Sequence, residues 1–216
     1  MKVIVVAGGD AAADDAAQLA DADLVIAADS GAAWLQECGR SPDVLIGDLD
    51  SIDPVLLERL VAEGVTIERH PADKDASDAE LAVGRAVEAG ADEVVILGAL
   101  GGKRVDHELA NLLLLVDPAW RGRLIRIVRG ETSVRALRGG EVIGLEGAEG
   151  DLVTLLSVGG DAVGVRTDRL RFPLDGETLA PGRSRGLSNL IESPPASVSL
   201  ERGTLLVIET REEPIR

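Results

Sequence analysis

The sequence predicts an α/β domain, a mostly parallel sheet with helices on both faces, followed by a small all-β sandwich. Three observations lead there. From Met1 to about Arg129, short aliphatic runs alternate with helical periods across turns rich in Gly, Asp or Pro. Carboxylates collect directly after several of the aliphatic runs, where ligands bind in sheets of this kind. After Gly130 the helical periods stop, and short strand-like runs punctuated by turns replace them.

Taken in order, Val3 to Ala7 reads as the first strand. The segment from Met1 begins like a signal peptide, but its apolar run ends at Gly8-Gly9-Asp10 after five residues, which fits a strand better than an export signal. A helical segment near Asp14 to Ala20 leads to a strand at Leu24 to Ala28, and a helical period from Gly31 to Cys38 follows Asp29-Ser30. Val44 to Ile46 is a short buried strand; Asp53-Pro54 then opens a helix running to Glu63, because proline suits the first helical position and aspartate the cap. Val65 to Arg69 is the next strand. Ser77-Asp78-Ala79-Glu80 is a capping-box pattern ahead of the apolar positions Leu81, Val83, Ala86 and Val87, so a helix is expected from Asp78 to Ala89. The strands Glu93 to Leu97 and Leu124 to Val128 flank a last helix at Asp106 to Leu115. The alternation is Rossmann-like in outline, although Gly8-Gly9 lacks the dinucleotide fingerprint.

The boundary is placed near Arg129 to Arg135, giving domains 1–130 and 131–216. In the second, strands are expected at Glu141 to Leu145, Leu152 to Leu156, Ala162 to Thr167, Ser197 to Leu200 and Thr204 to Glu209. Pro173 to Pro195 is expected as a long loop over one end of the sandwich.

Composition narrows the function. At 216 residues the chain buries a sizeable core, and its formal charge of −16 repels a polyanion, which argues against nucleic acid as a partner. A small phosphate ligand stays in play because a metal ion locally inverts the field of an acidic surface. Cys38 is the only cysteine, which excludes an internal disulfide and argues against structural zinc; late in its helical segment it is expected as a buried small hydrophobe. No stretch approaches the roughly 18 apolar residues of a membrane span, so a soluble cytoplasmic protein is the default expectation. Trp34, Trp120 and Phe172 are the aromatics, and the core is accordingly aliphatic.

Three acidic clusters carry the chemistry: Asp29-Ser30-Gly31, Gly47-Asp48-Leu49-Asp50-Ser51 and Asp73-Lys74-Asp75-Ala76-Ser77-Asp78. In an extended segment, Asp48 and Asp50 would point the same way from a strand end, and two adjacent carboxylates repel unless a cation lies between them. Mg²⁺ suits such a site, since it takes one or two carboxylates and completes its shell with water and phosphate oxygens. The plainer reading, a turn and a helix cap, stands beside it for each cluster taken alone; repetition at consecutive strand ends favours the metal. Gly98-Ala99-Leu100-Gly101-Gly102-Lys103-Arg104-Val105-Asp106-His107 follows a strand and precedes an apolar helix. Glycines there let backbone N–H groups approach an anion, and Lys103 or Arg104 can neutralise phosphate oxygens. The spacing is not that of a Walker A loop. His107, in the first turn of a helix, and His70, before Pro71, read as packing or hydrogen-bonding residues rather than general bases.

Taken together these motifs, with Pro42-Asp43 and Arg185-Gly186-Leu187-Ser188-Asn189, resemble the thiamine pyrophosphokinase family. The resemblance spans nearly the whole chain. It implies an N-terminal domain that binds ATP and Mg²⁺, a β-sandwich that helps to bind thiamine, and a homodimer with sites at the subunit interface. On matching positions it implies Asp48, Asp50 and Asp78 as metal-binding carboxylates, with Asp29 completing the catalytic group close to the reacting atoms. Lys74, Ser77, Arg104 and Asp106 would contact nucleotide or phosphate, and Ser188 and Asn189 would meet thiamine. Two departures from the family pattern stand out. Lys103 adds one residue to the usual Gly-Gly-Arg-x-Asp-His, and Leu190 replaces the acidic residue that commonly follows Ser-Asn; the β domain also offers only Phe172 for stacking. The rival readings are a pyrophosphokinase acting on another alcohol, such as a hydroxymethylpterin, and a non-catalytic nucleotide sensor on the same fold.

Overall fold

A computed structural model describes residues 1–212, which form two compact units, 1–130 and 131 onward. In the first unit the strands are β1 (Lys2–Val6), β2 (Leu24–Ala28), β3 (Val44–Gly47), β4 (Thr66–Arg69), β5 (Glu93–Leu97) and β6 (Leu124–Arg129). They lie in the order β6-β5-β1-β2-β3-β4, every pair parallel. The helices are α1 (Gly31–Glu37), α2 (Pro54–Ala62), α3 (Asp78–Glu88) and α4 (Val105–Leu114).

The aliphatic runs become central strands because both faces of each are covered. Ile4, Val6, Val25, Ala27, Leu45, Val95 and Leu97 share one core cluster with Ala32 and Leu35 of α1 and Leu56 and Leu60 of α2. The alternate residues Val3, Val5, Ile26, Ile46, Val94 and Ile96 are equally buried on the opposite face, where α3 packs on β1, β2 and β3 through the fully buried Ala82, Val83 and Ala86. The caps behave as their sequence demands. Asp53 accepts the Val55 N–H at 2.7 Å and Ser77 accepts the Glu80 N–H at 3.1 Å. The segment expected as a helix near Asp14 is a 3₁₀ helix, Ala13–Leu19, in which the buried Asp15 turns inward to accept the N–H groups of Ala12 and Gly130. Cys38 is exposed rather than buried, since it lies at the C-cap of α1 where the helix leaves the core.

Chain order reverses between β1 and β5: from β1 the sheet grows one way through β2, β3 and β4 and the other way through β5 and β6. Such a switch point opens a crevice beyond the carboxyl ends of the strands. The Gly9 N–H donates to the Gly98 carbonyl at 2.8 Å across it.

The second unit is antiparallel. β7 (Thr132–Arg138), β9 (Leu152–Ser157), β12 (Asn189–Leu190) and β14 (Thr204–Thr210) lie in the order β12-β9-β14-β7; β8 (Val142–Gly144), β10 (Ala162–Asp168), β11 (Asp175–Leu179) and β13 (Ser197–Ser199) lie in the order β11-β10-β13-β8. Residues of both sheets, among them Leu137, Val153, Leu155, Ala162, Val165, Val198, Leu205 and Val207, meet in one core, which makes the pair a sandwich. Arg135 and Glu209 are also buried there. They form an ion pair at 2.6 Å, and Glu209 further accepts the Glu146 N–H at 2.7 Å, so the buried charges are satisfied. The expected loop from Pro173 to Pro195 is partly ordered as β11 and β12.

Candidate active site

Each acidic cluster follows a strand of the first unit, as the sequence suggested, but the backbone brings them together differently. Asp29 succeeds β2 in the left-handed conformation, φ 48°. Its carboxylate accepts the Leu49 N–H at 3.1 Å and the Ser51 hydroxyl, so it braces the loop that follows β3. Asp48 and Asp50 do not share an extended segment: Leu49 between them is left-handed, φ 65°, and buried, and the Asp50 N–H donates to Asp48 Oδ1 at 3.1 Å. A tight turn, not the strand pleat, makes them converge. The result is a trio, Asp29, Asp48 and Asp50, with one oxygen of each within 4.8 Å of the others. Backbone strain of this kind at non-glycine residues is concentrated at functional sites.

Asp78, at the start of α3, approaches from across Gly47. A Cβ at Gly47 would stand 3.1 Å from Asp78 Oδ1 and 3.2 Å from Asp29 Oδ1, so this position admits only glycine while both carboxylates hold their places. Lys74 donates to Asp78 Oδ1 at 2.7 Å. The electrostatics follow from the crowding. The neighbouring Asp48 charge pushes the Asp50 carboxyl above its ordinary pKa. Asp29 is also raised, by burial first and by Asp78 and Asp48 after it, against the lowering effect of its bonds to Ser51 and Leu49.

Asp29, Asp48, Lys74 and Asp78, but not Asp50, line a cleft of about 810 Å³ at the switch point, together with Gly8, Gly9 and Asp10 after β1 and the glycine loop after β5. That volume suits a nucleotide-sized ligand. Gly98 (φ 63°) lies so close to the Ala7 carbonyl that an added Cβ would stand 2.5 Å from it. The loop's N–H groups are not all turned to the cleft: Gly101 donates to Glu108 at 2.8 Å and Gly102 to Asp10 at 3.1 Å, while Asn111 donates to the Ala99 carbonyl at 2.9 Å. Helix α4 starts at Val105, and Asp106 in its first turn takes a two-pronged bond from Arg104 at 2.9 and 2.5 Å, which holds the Asp106 carboxyl well below the usual carboxylate range. Lys103, Arg104, Ser77 and His107 all line the cleft.

The sequence reading missed Asp10, Glu108 and Asn111. Asp10 carried a signal, an acid directly after a strand, identical to the one used for the other clusters. Ser188 and Asn189 lie in the second unit. Ser188 is exposed and left-handed, φ 53°, with its N–H bonded to Thr154 Oγ1 at 3.1 Å; Asn189 is buried.

Residues 16–127 match the family model described as thiamin pyrophosphokinase, catalytic domain, and residues 141–205 match thiamin pyrophosphokinase, vitamin B1 binding domain. The first match alone covers more than half of the chain. The chain belongs to the thiamine pyrophosphokinase family. It is 26% identical over 187 residues to thiamine pyrophosphokinase of Bacillus subtilis, covering 87% of each chain. To thiamine pyrophosphokinase 1 of Oryza sativa subsp. japonica it is 29% identical over 181 residues, covering 79% of this chain and 67% of that one. The solved thiamine pyrophosphokinase structure from Bacillus subtilis superposes with a TM-score of 0.88 at 23% identity, covering 99% of this chain and 100% of the other, which establishes the fold of both units. Family membership makes the protein an enzyme, and the catalytic match covers all three acidic clusters and the glycine loop.

Proposed function

We propose that the protein transfers the pyrophosphoryl group of ATP to the hydroxyl of thiamine, giving thiamine diphosphate and AMP. The observation that carries this reading is the convergence of Asp29, Asp48 and Asp50, with Asp78 adjoining, over a nucleotide-sized cleft. The residues fit a hard divalent cation: the donors are all carboxylate oxygens, and their mutual repulsion raises Asp50 and contributes to raising Asp29. Six carboxylates line the cleft against three cations, Lys74, Lys103 and Arg104, so a polyphosphate has little reason to enter unless further positive charge accompanies it. Asp48 and Asp50 would hold Mg²⁺, with Asp29 and Asp78 beside them. Bound there, the ion supplies neutralisation of phosphate oxygens.

The side chains do the rest by positioning and charge. Lys74, Lys103 and Arg104 bind phosphate oxygens, with Ser77 and Asp106 orienting the segments that carry them. Asp29, made more basic by burial, accepts the proton as the thiamine hydroxyl oxygen bonds to the β-phosphorus and the bond to the bridging oxygen breaks, releasing AMP. Residues 1–130 form the ATP and Mg²⁺ domain; residues 131–216 form the thiamine domain, with Ser188, Asn189 and Phe172 serving that substrate. The vitamin B1 binding match over 141–205 supports thiamine above a hydroxymethylpterin, despite Leu190. A homodimer is supported by α4, which buries none of its residues and leaves Val105, Leu109 and Leu113 exposed along one stripe. No helix among the described residues is long and apolar enough to cross a membrane.

AMP release from ATP and Mg²⁺ tests the reading. Release should require thiamine and stop on chelation; release with a pterin alcohol alone, or with neither alcohol, would overturn it.

A further inference from the structure

We propose that Asn189 is a positioning residue: its amide clamps the backbone of Phe172, fixing that ring as a platform for the cationic ring of thiamine, and does not itself touch the substrate. The inference rests on the thiamine reading above and assigns Asn189 a different task from the direct contact that the family resemblance implies.

Asn189 is only 5% exposed, and its polar atoms are engaged by its own chain. Oδ1 accepts the Phe172 N–H at 3.0 Å and the Leu190 N–H at 2.9 Å, which uses both lone pairs. Nδ2 donates to the Phe172 carbonyl at 2.7 Å. The amide therefore reads Phe172 as a neighbouring strand would, accepting from its N–H and donating to its C=O. The backbone adds to this pairing: the Arg171 N–H donates to the Leu190 carbonyl at 3.0 Å, and Leu170 bridges Ile191 in antiparallel fashion. On the other side, Pro173 restricts Phe172 to extended conformations, and the Pro173 carbonyl accepts from Arg185 at 3.2 Å while Arg185 grips Glu177 at 2.9 and 2.8 Å.

A backbone pinned on both sides would be unremarkable beneath a buried ring, but Phe172 is 53% exposed. It is also the only aromatic residue after Trp120 and the only phenylalanine in the chain. A fixed, half-exposed ring face attracts a cation, and a thiazolium offers both a positive charge and a flat face to stack. Holding the ring through its backbone leaves that face clear. An amide with one unused N–H, at 5% exposure, has little left to offer a ligand.

The single phenylalanine makes the test direct, because fluorine-labelled phenylalanine incorporated throughout reports Phe172 alone. In the full chain, thiamine should shift the one fluorine resonance. Asn189→Ala should move and broaden that resonance before thiamine is added, raise the thiamine KM about tenfold and leave the ATP KM within about twofold, the size of one stacking and cation–π contact. Phe172→Ala should do the same to KM, and the double variant should be no worse than the worse single variant. If Asn189→Ala fails to fold, as judged by circular dichroism, Asn189→Asp keeps an oxygen for the two N–H groups but sets a second carboxylate oxygen against the Phe172 carbonyl in place of the donor, and is expected to show the same pattern. Multiplicative losses in the double variant, or weaker thiamine binding with an unmoved fluorine resonance, would mean that Asn189 contacts the substrate and would overturn the proposal. A wild-type resonance indifferent to thiamine while turnover is normal would overturn it too. Absence of thiamine-dependent AMP release from wild type would instead remove the underlying reading, and the proposal with it.

Discussion

Asp29 is assigned two tasks, a scaffold task and a chemical one, and two substitutions separate them. Asp29→Ala removes the acceptor of the Leu49 N–H and of the Ser51 hydroxyl. Leu49 is 6% exposed, so its N–H is left without water, at a cost of about 1–3 kcal/mol. Ser51 is exposed and its hydroxyl turns to solvent, so it adds little. Relief of like charge at the trio works in the other direction, which leaves a net loss of about 1–2 kcal/mol. For a chain of this length that lowers Tm by roughly 2–8 °C. Asp29→Asn keeps an oxygen for Leu49 and lets Ser51 reverse its bond, while the charge that burial and Asp78 disfavour disappears. Its metal-free Tm should equal or exceed that of wild type. Both variants should lose activity by on the order of 100-fold or more, because each lacks the basic carboxylate. Thermal unfolding in chelator beside thiamine-dependent AMP release reads both effects. Equal stability of the two variants would refute the bracing role, and an Asn variant within about threefold of wild type would refute the chemical one.

Asp50→Asn should raise the metal-free Tm, because the Asp48 charge no longer faces a like neighbour, and should cut activity by at least about 100-fold at ordinary Mg²⁺; wild-type turnover in this variant sinks the metal assignment. Arg104→Ala should impair ATP use more than Lys103→Ala if Lys103 is the inserted residue, and steady-state ATP kinetics showing the opposite order would relocate the insertion. Lys74→Met should abolish the mutual strengthening of Mg²⁺ and nucleotide binding: calorimetric titration of each ligand with and without the other gives the coupling, and an unchanged coupling refutes an exchange of partners by Lys74 and Asp78.

The first unit was legible because its central strands are covered on both faces and so appear as unbroken aliphatic runs, Val3 to Val6 and Val94 to Leu97 being the clearest. The sandwich was less so. β7 carries Arg135 on its inner face, where the partner that makes the burial tolerable, Glu209, lies 74 residues away and leaves no local trace. β11, Asp175–Leu179, is polar and mostly exposed, and β12 has only two residues, whose pairing with the Phe172 segment is completed by the Asn189 side chain. At the site, the identity of the acids was legible and their geometry was not. A left-handed leucine between two aspartates has no sequence signature comparable to glycine, yet it is what turns Asp48 and Asp50 toward Asp29. Glu108 and Asp10 escaped notice for a related reason: each binds a backbone N–H of a loop that the sequence alone offers to an anion.

That last pattern recurs among the cations of the cleft and bears on how the substrates enter. Lys74 is bound to Asp78 at 2.7 Å and Arg104 to Asp106, each partner within four residues along the chain. A phosphate that takes Lys74 would free Asp78 beside the trio, where a fourth carboxylate would strengthen the proposed hold on a divalent cation. A cation that takes Asp78 frees Lys74 for phosphate. Each ligand thus undoes the contact that opposes the other, and by linkage the gain must be the same in both directions. On the proposed reading, an acidic chain with a net charge of −16 would in this way stay closed to bare polyanions and still receive a nucleotide that arrives with its metal.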